Sequence, residues 1–275
     1  MNKMINKIND NFCNIKLIAI DVDGTLVNSK KELTKENVEA IKYAVRRGVK
    51  VVISSGRPLS GIKQYEGPFE KDIPFITFNG AMVVKKDSNV VLYNKTIEYN
   101  EAYNILKYIY DNKINVVVWS DSKLYVNVIS DTTKSYGYKS GCDPILSFDI
   151  EKMCQDGVNK ILLYGDNSDL LNYKNDISRI SNKVNLEFSS PYYLEIFNIE
   201  ASKGNAVKAL CDYYGFNREE VVTIGDNFND LSMLKFSKIS VAMDNSPDEI
   251  KEMCTFVTKS NEESGVAYAI CMLIK

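Results

Sequence analysis

Both ends of the chain alternate short apolar segments with segments of helical periodicity. Short apolar runs rich in β-branched side chains are typical of buried strands. We predict such strands at Leu17–Ile20, Val49–Ile53, Phe75–Phe78, Val221–Ile224, Ile239–Met243 and Thr255–Thr258. We predict helices at 34–47, 58–66, 203–214, 248–253 and 265–273. This alternation favours a Rossmann-like, doubly wound parallel sheet of the α/β class, built from both ends of the chain.

The middle of the chain has a different pattern, in which strands follow one another closely. We predict strands at Val90–Tyr93, Asn115–Trp119, Lys123–Asn127, Val158–Tyr164, Val184–Phe188 and Tyr193–Phe197, with helices at 100–111 and 168–180. Adjacent, hairpin-like strands favour an antiparallel sheet in an α+β module. We therefore expect a discontinuous core domain, residues 1–84 and 196–275, with residues 85–195 inserted as a lid or cap domain.

Small polar residues follow the predicted core strands where each strand ends. Asp21 and Asp23 come after the first strand, and residues two apart can point to the same side of an extended chain. Two neighbouring carboxylates are unfavourable unless they share a cation or a proton. Further polar residues at the other strand ends are Ser55, Asn79, Asp226, Asn229 and Asp230, and Lys203 begins a predicted helix. In a parallel sheet, all of these would converge on one edge.

Three interpretations remain open for the Asp21–Leu26 stretch taken alone. Its carboxylates could cap the backbone of a turn. It could be a calcium loop, since Glu32 falls at the twelfth position, but Leu26 stands where that loop needs glycine and a strand replaces the preceding helix. It could also be an acyl-phosphate site, with one aspartate as nucleophile and the other as acid and base.

The composition narrows these classes of function. The 275 residues are 45% hydrophobic and 25% charged with a net charge of −2, which indicates a globular protein with no field that attracts nucleic acid or membranes. The six cysteines form no CxxC pair and indicate reduced thiols of the cytoplasm. Residues 1–15 lack the apolar segment of a secretory signal, and no apolar run has membrane-spanning length. Histidine is absent, so acid–base chemistry falls to other side chains.

The predicted strand-end cluster suits a hard cation and a phosphoryl group. Three or four carboxylates without thiol or imidazole form an oxygen-rich site typical of Mg²⁺. Lys203 and the Ser55 hydroxyl could then neutralise and hydrogen-bond phosphoryl oxygens as charge moves during transfer.

Four short motifs in order resemble the haloacid dehalogenase-like hydrolase superfamily, and within it the Cof-type phosphatases with the large α/β (type C2B) cap. The motifs are Asp21-Val22-Asp23-Gly24-Thr25-Leu26, Ser54-Ser55-Gly56-Arg57, Ser202-Lys203-Gly204 and Gly225-Asp226-Asn227-Phe228-Asn229-Asp230. Phe78–Ala81 and Ser260–Ala267 also resemble Cof-type signatures. The likeness extends from about Ile15 to the C-terminus, around an insertion of the size of a cap.

This resemblance implies roles for individual residues. Asp21 would be the nucleophile that becomes phosphorylated, and Asp23 would act as acid and base while its backbone carbonyl binds Mg²⁺. Asp21, Asp226 and Asp230 would be the other metal residues, with Asp230 either a ligand or a residue that orients the ligands.

The remaining roles concern the phosphoryl group and the substrate. Ser55, where many relatives have threonine, and Lys203 would hold the phosphoryl group, with Gly56 and Asn229 beside it. Asn79 could contact the ligand or cap a turn, and Arg57 could contact the substrate or pair with the lid.

We therefore expect a cytoplasmic, Mg²⁺-dependent phosphatase that acts on a small phosphorylated metabolite through an aspartyl-phosphate. Sugar phosphates are the first substrate class that the resemblance implies, and nucleotide or cofactor phosphates are the next. The alternatives are a phosphomutase or phosphotransferase, and a ligand-binding regulatory protein with little turnover, against which the intact Asp21, Asp23, Lys203 and Asp226 argue. No obligate protein partner is evident.

Overall fold

The computed structural model describes residues 14–274. The strands are β1 (Leu17–Ile20), β2 (Lys50–Ile53), β3 (Pro74–Thr77), β4 (Met82–Lys85), β5 (Val91–Asn94), β6 (Val116–Ser120), β7 (Lys123–Val126), β8 (Ile145–Leu146), β9 (Val158–Tyr164), β10 (Val184–Ser190), β11 (Tyr193–Asn198), β12 (Val221–Gly225), β13 (Ile239–Ala242) and β14 (Phe256–Val257). The α-helices span Lys35–Arg46, Leu59–Ile62, Tyr99–Asp111, Asp131–Ser140, Ile150–Asp156, Asn167–Ile180, Lys203–Tyr214, Leu231–Phe236, Asp248–Met253 and Gly265–Leu273. The predicted lack of a secretory signal rests mainly on residues 1–13, which lie outside the described residues, as does Cys13, one of the six cysteines predicted to be reduced thiols.

The chain forms two compact units, and the first contains residues 14–56, 62–92 and 202–274 of the described part. Its main sheet has the strand order β14-β13-β12-β1-β2, and every pair in it is parallel. Strand β3 continues this sheet beside β2 through a parallel bridge between Ser54 and Ile76. All four residues of β1 are fully buried, as expected for a central parallel strand covered on both faces. The predicted parallel α/β core is confirmed.

Side chains at the helix ends explain why the helices of this unit begin where they do. Thr34 caps helix Lys35–Arg46 by accepting a hydrogen bond from the backbone N–H of Asn37, at 3.3 Å. The buried side chain of Asn37 donates to the Leu26 carbonyl at 2.9 Å and accepts from the N–H of Ala267 at 2.9 Å. One residue thereby ties the segment after β1 to the last helix.

The second unit contains residues 57–61 and 93–201. Its six-stranded sheet has the order β10-β11-β9-β6-β7-β8, antiparallel except for the pairing of β7 with β8. The predicted α+β character of the middle segment is therefore confirmed. Alternate residues of its central strands share one apolar core with helices Tyr99–Asp111 and Asn167–Ile180.

Two boundaries between the units lie later in the chain than we expected at 84/85 and 195/196. The chain changes units after residues 92 and 201, because β4 and the first half of β5 belong to the first unit and β11 belongs to the second sheet. Residues 57–61 also group with the second unit, where the Ser60 hydroxyl donates to the Ser140 carbonyl at 2.6 Å.

Helix Asp131–Ser140 was not predicted, because its residues carry little apolar periodicity. The helix starts at a capping box between Ser130 and Thr133, and it ends at Gly141, whose φ is 65°. Its boundaries are therefore set by caps rather than by a hydrophobic stripe.

Among residues 14–274, no helix has the length and apolar character needed to cross a membrane.

Candidate active site

The loop after β1 brings two aspartates to the carboxyl end of the sheet. The N–H of Asp21 donates to the Ile224 carbonyl of β12 at 3.0 Å, which continues the parallel pairing one residue beyond the strand. The side chain of Asp21 is buried, whereas that of Asp23 is 39% exposed and pairs with Lys31 at 2.7 Å. The two aspartates therefore occupy different environments, although they are two residues apart.

A buried ammonium group lies between two carboxylates at this end of the sheet. Lys203 Nζ is 2.5 Å from Asp21 Oδ1 and 2.6 Å from Asp230 Oδ1, and the side chain of Lys203 is completely buried. Ser202 caps the helix that Lys203 begins. Gly80 packs against this helix start so closely that a Cβ there would lie 2.1 Å from the Ser202 carbonyl oxygen.

Asp230 uses both carboxylate oxygens within the protein. Oδ1 accepts from Lys203, and Oδ2 accepts from the backbone N–H groups of Asp226 and Asn227 at 3.0 and 3.1 Å. Asp226 in turn accepts a hydrogen bond from the Thr25 hydroxyl at 2.8 Å. Asp230 is therefore suited to orient the loop that carries Asp226. Because both of its oxygens already accept hydrogen bonds, Asp226 and Asp21 are better placed than Asp230 to bind a cation.

Burial shifts the pKa values of these groups. Burial raises the pKa of Asp21 well above its ordinary value, and the neighbouring Asp230 adds to the rise while Lys203 opposes it. Burial and Asp230 raise the pKa of Asp226 to about 6, against the opposing hydrogen bond from Thr25. Burial lowers the pKa of Lys203, but the carboxylates of Asp21 and Asp230 more than reverse this, so the pKa lies above its ordinary value. The ammonium group of Lys203 thus partly offsets the negative charge of three carboxylates, those of Asp21, Asp226 and Asp230.

These residues fit a divalent cation. Carboxylate oxygens of Asp21, Asp226 and Asp230 lie within 4.8 Å of one another. Their donor set consists of oxygen alone, as hard cations prefer. Burial, and then the neighbouring Asp230, raise the pKa values of Asp21 and Asp226 by disfavouring the ionised carboxylates. A divalent ion held by Asp21 and Asp226 would stabilise the ionised forms.

Ser55, Gly56 and Asn79 form a neighbouring group at the ends of β2 and β3. The N–H of Ser55 donates to the Ile76 carbonyl at 2.9 Å, and the Ser55 carbonyl accepts from the N–H of Asn79 at 3.0 Å. A Cβ on Gly56 would lie 2.7 Å from Asn79 Oδ1, so glycine permits this approach. The Ser55 side chain is buried.

The positions of two other predicted site residues, Asn229 and Arg57, do not indicate a role for either side chain. Asn229 is exposed on the 3₁₀ turn Phe228–Asp230, beside Asp230 in the chain. Arg57 belongs to the second unit, where its guanidinium donates to the Gly61 carbonyl at 3.3 Å. The roles predicted for both residues stay predictions.

Three residues that contact the site were missed by the sequence reasoning. Thr25 bonds Asp226, Asn245 donates to the Gly24 carbonyl at 2.9 Å, and Asn261 donates to the Val27 carbonyl at 3.0 Å. Thr25 and Asn261 lie in motifs that were recognised, but their partners are more than 200 residues away in the chain. Nothing local in the sequence identifies such partners.

Substituting alanine for Gly24 is expected to weaken divalent-cation affinity about 10- to 100-fold, the usual effect of disturbing groups that orient a ligand. The added Cβ would lie 2.4 Å from Asp226 Oδ2, and φ at Gly24 is +87°. Gly48→Ala is the matched control, because φ there is +83° with no atom within 4 Å of the added Cβ. Calorimetric titration with Mg²⁺ measures both affinities, and equal losses in the two variants would contradict the steric argument.

Comparisons with known proteins agree with this geometry. A model of the haloacid dehalogenase-like hydrolase family matches residues 18–270. The Bacillus subtilis protein YxeH is 34% identical over 266 residues, covering 94% of this chain and 98% of its own. The 5-amino-6-(5-phospho-D-ribitylamino)uracil phosphatase YwtE of the same organism is 32% identical over 285 residues, covering 94% of this chain and 98% of its own. A haloacid dehalogenase-like hydrolase from Bacteroides thetaiotaomicron superposes with a TM-score of 0.85 at 28% identity, covering 94% of this chain and all of that one.

Proposed function

The chain belongs to the haloacid dehalogenase-like hydrolase family and is a phosphatase of that family, and we propose that it hydrolyses small phosphorylated metabolites with Mg²⁺ through a phosphorylated Asp21. The resemblance drawn from the four motifs is thereby confirmed. The observation that carries the proposal is the buried Lys203, held between Asp21 and Asp230 within an oxygen-only cluster. A cytoplasmic location and a substrate-selecting role for the inserted unit stay predictions.

Each step of the proposed reaction uses a residue of the first unit. A carboxylate oxygen of Asp21 attacks phosphorus as the bond from phosphorus to the ester oxygen breaks. Asp23 donates a proton to the departing oxygen, and it then removes a proton from the water that attacks the phosphorylated Asp21. Inorganic phosphate leaves and the Asp21 carboxylate is regenerated.

Electrostatic stabilisation comes from groups beside Asp21. Lys203, and Ser55 through its hydroxyl, are suited to hold phosphoryl oxygens during transfer. Mg²⁺ would be held by Asp21, Asp226 and the Asp23 carbonyl, and when bound it supplies positive charge that neutralises the phosphoryl group. Asp230 keeps Lys203 and the Asp226 loop in place through the three hydrogen bonds that its carboxylate accepts.

A sugar or polyol phosphate is the substrate class that we propose first. The family resemblance supports sugar phosphates, and the name of YwtE describes a substrate whose phosphate sits on a ribityl chain, which is a polyol. We expect this chain to prefer sugar and polyol phosphates over nucleotides.

A phosphate-release screen over sugar, polyol, nucleotide and cofactor phosphates tests the proposal. Release is expected with Mg²⁺ and should be lost after chelation, with Asp21→Asn as the inactive control. Full activity in thoroughly chelated enzyme would contradict the metal site. Transfer of phosphate to an added alcohol in preference to water would instead identify a phosphotransferase.

The stabilisation of the fold by Mg²⁺ is expected to grow as pH rises from about 5 to about 7.5. The folded, metal-free protein holds protons on Asp21 and Asp226 more tightly than the unfolded chain does, so its stability falls as pH rises from the ordinary carboxyl pKa through about 6. A bound cation replaces these protons and removes that loss. Melting curves with Mg²⁺ or chelator at both pH values measure the difference, which should shrink in Asp226→Asn. An equal Mg²⁺ effect at both pH values would contradict it.

A further inference from the structure

Lys31 adopts a backbone conformation that is unusual for its residue type. Its φ is +63°, a region that residues other than glycine, asparagine and aspartate rarely occupy. Strain of this kind persists only where the surroundings impose it, and it is concentrated at functional sites. The conformation of Lys31 is therefore held by contacts with its surroundings.

A tight turn holds Lys31 in this conformation. The N–H of Asn28 donates to the Glu32 carbonyl at 3.1 Å, and the N–H of Lys31 donates to the Asn28 carbonyl at 2.9 Å. The side-chain oxygen of Asn28 accepts from the N–H groups of Lys30 and Glu32, at 3.0 and 2.9 Å. The turn is thus closed by both the backbone and the side chain of Asn28.

Contacts with distant residues fix the turn against the rest of the first unit. The Tyr65 hydroxyl donates to the Lys31 carbonyl at 3.3 Å, and the Ser29 N–H donates to Glu262 at 2.7 Å. Asn261 holds the Val27 carbonyl just before the turn. The position of Lys31 is therefore set by contacts with two distant parts of the chain, at Tyr65 and at residues 261–262.

The side chain of Lys31 reaches the carboxylate of Asp23. Lys31 Nζ is 2.7 Å from Asp23 Oδ1, and the two side chains are 53% and 39% exposed. Exposed ion pairs contribute little to stability, so the Lys31–Asp23 pair adds little to the free energy of folding. Asp21, in contrast, is buried and held by Lys203. Each aspartate of the pair thus has a lysine partner of its own.

We propose that Lys31 is a positioning residue for Asp23, which holds the carboxylate in place for proton transfer and so determines how well esters with poor leaving groups are hydrolysed. This inference rests on the proposed function, in which Asp23 protonates the departing oxygen. An alkyl oxygen leaves slowly without that proton, whereas an aryl oxygen leaves readily without it. A misplaced Asp23 therefore penalises alkyl phosphates more than aryl phosphates.

The test compares kcat for an alkyl phosphate, glycerol phosphate, with kcat for an aryl phosphate, p-nitrophenyl phosphate, at saturating Mg²⁺. Lys31→Asn keeps a residue that accepts positive φ and removes the ammonium group. Its alkyl-to-aryl ratio is expected to fall about fivefold, the upper end of what an exposed ion pair contributes. Lys31→Arg should restore the ratio.

Lys30→Asn is the matched control. It removes the same charge from the same turn, and Lys30 forms no ion pair within residues 14–274. Its ratio should stay at the wild-type value, which separates positioning from a general loss of positive charge near an anionic substrate. Melting curves verify that the variants are folded.

Three outcomes would overturn the inference, and they are distinguishable. No phosphate release by the wild type removes the proposed function and this inference with it. An unchanged ratio in Asp23→Asn refutes the acid–base assignment on which the inference depends. A lowered ratio in Asp23→Asn together with a wild-type ratio in Lys31→Asn overturns the role of Lys31 alone.

Discussion

Replacing Asp21 with asparagine is expected to abolish phosphate release, with kcat reduced by roughly 10⁴-fold or more. The carboxamide has the size of the carboxylate but no comparable nucleophilic oxygen, so the first bond to phosphorus cannot form. The fold should tolerate the change, because burial and Asp230 already disfavour the ionised form of Asp21. In chelator, the melting temperature should equal or exceed that of the wild type. Phosphate release and thermal melts measure the two effects.

Asp23→Asn should have a smaller effect that depends on the substrate. Loss of a general acid and base reduces rates by about 10² to 10⁴, and the loss should be smallest for an aryl phosphate. The second step also slows, so a phosphorylated enzyme is expected to accumulate, with added mass that maps to Asp21. Near-normal activity in Asp21→Asn, or a label on another residue, would rule out the covalent mechanism.

Lys203→Met is expected to destabilise the protein by about 3–5 kcal/mol, since it leaves buried carboxylates without their cation. It should also reduce kcat by about 10²- to 10³-fold, the usual effect of removing a group that stabilises developing charge. Lys208→Met is the matched control, because Lys208 lies on the same helix and is exposed. Denaturant unfolding and phosphate release report the two effects.

A second substitution checks the electrostatic cause of the destabilisation. Asp21→Asn in the Lys203→Met background removes one of the stranded carboxylates, and it should raise the free energy of unfolding more than Asp21→Asn does in the wild type. Residues in direct contact couple in this way, whereas independent sites give additive effects. Additive effects in the double variant would mean that Lys203 stabilises the fold by packing rather than by charge.

The core of the fold and the set of site residues could be predicted from local patterns. Apolar runs such as Leu17–Ile20 specify a strand, and the polar residues that follow each run are brought to one edge by the parallel sheet itself. Asp21, Lys203, Asp226 and Asp230 were grouped on this basis, and the structure brings their side chains together.

Other features depend on contacts between residues far apart in sequence. Asp23 pairs with Lys31, whose position follows from a left-handed turn and from contacts such as that of Ser29 with Glu262. The orienting position of Asp230 depends on which of its oxygens are already bonded, and no motif contains that information. Helix Asp131–Ser140 likewise depends on its caps, which a search for apolar periodicity does not detect.

The central position of β1 has a consequence for how the protein is made. Strand β1 pairs with β2, which follows it closely, but its other neighbour β12 is synthesised only after the whole second unit has been synthesised. Native contacts of such long sequence separation form slowly, and unpaired apolar strands are prone to aggregate. The second unit, apart from the short segment 57–61, is continuous in sequence and has a core of its own. It can therefore fold before β12, the second neighbour of β1, has been synthesised. Nascent chains of this phosphatase should therefore bind chaperones at the β1–β2 segment until synthesis passes β12.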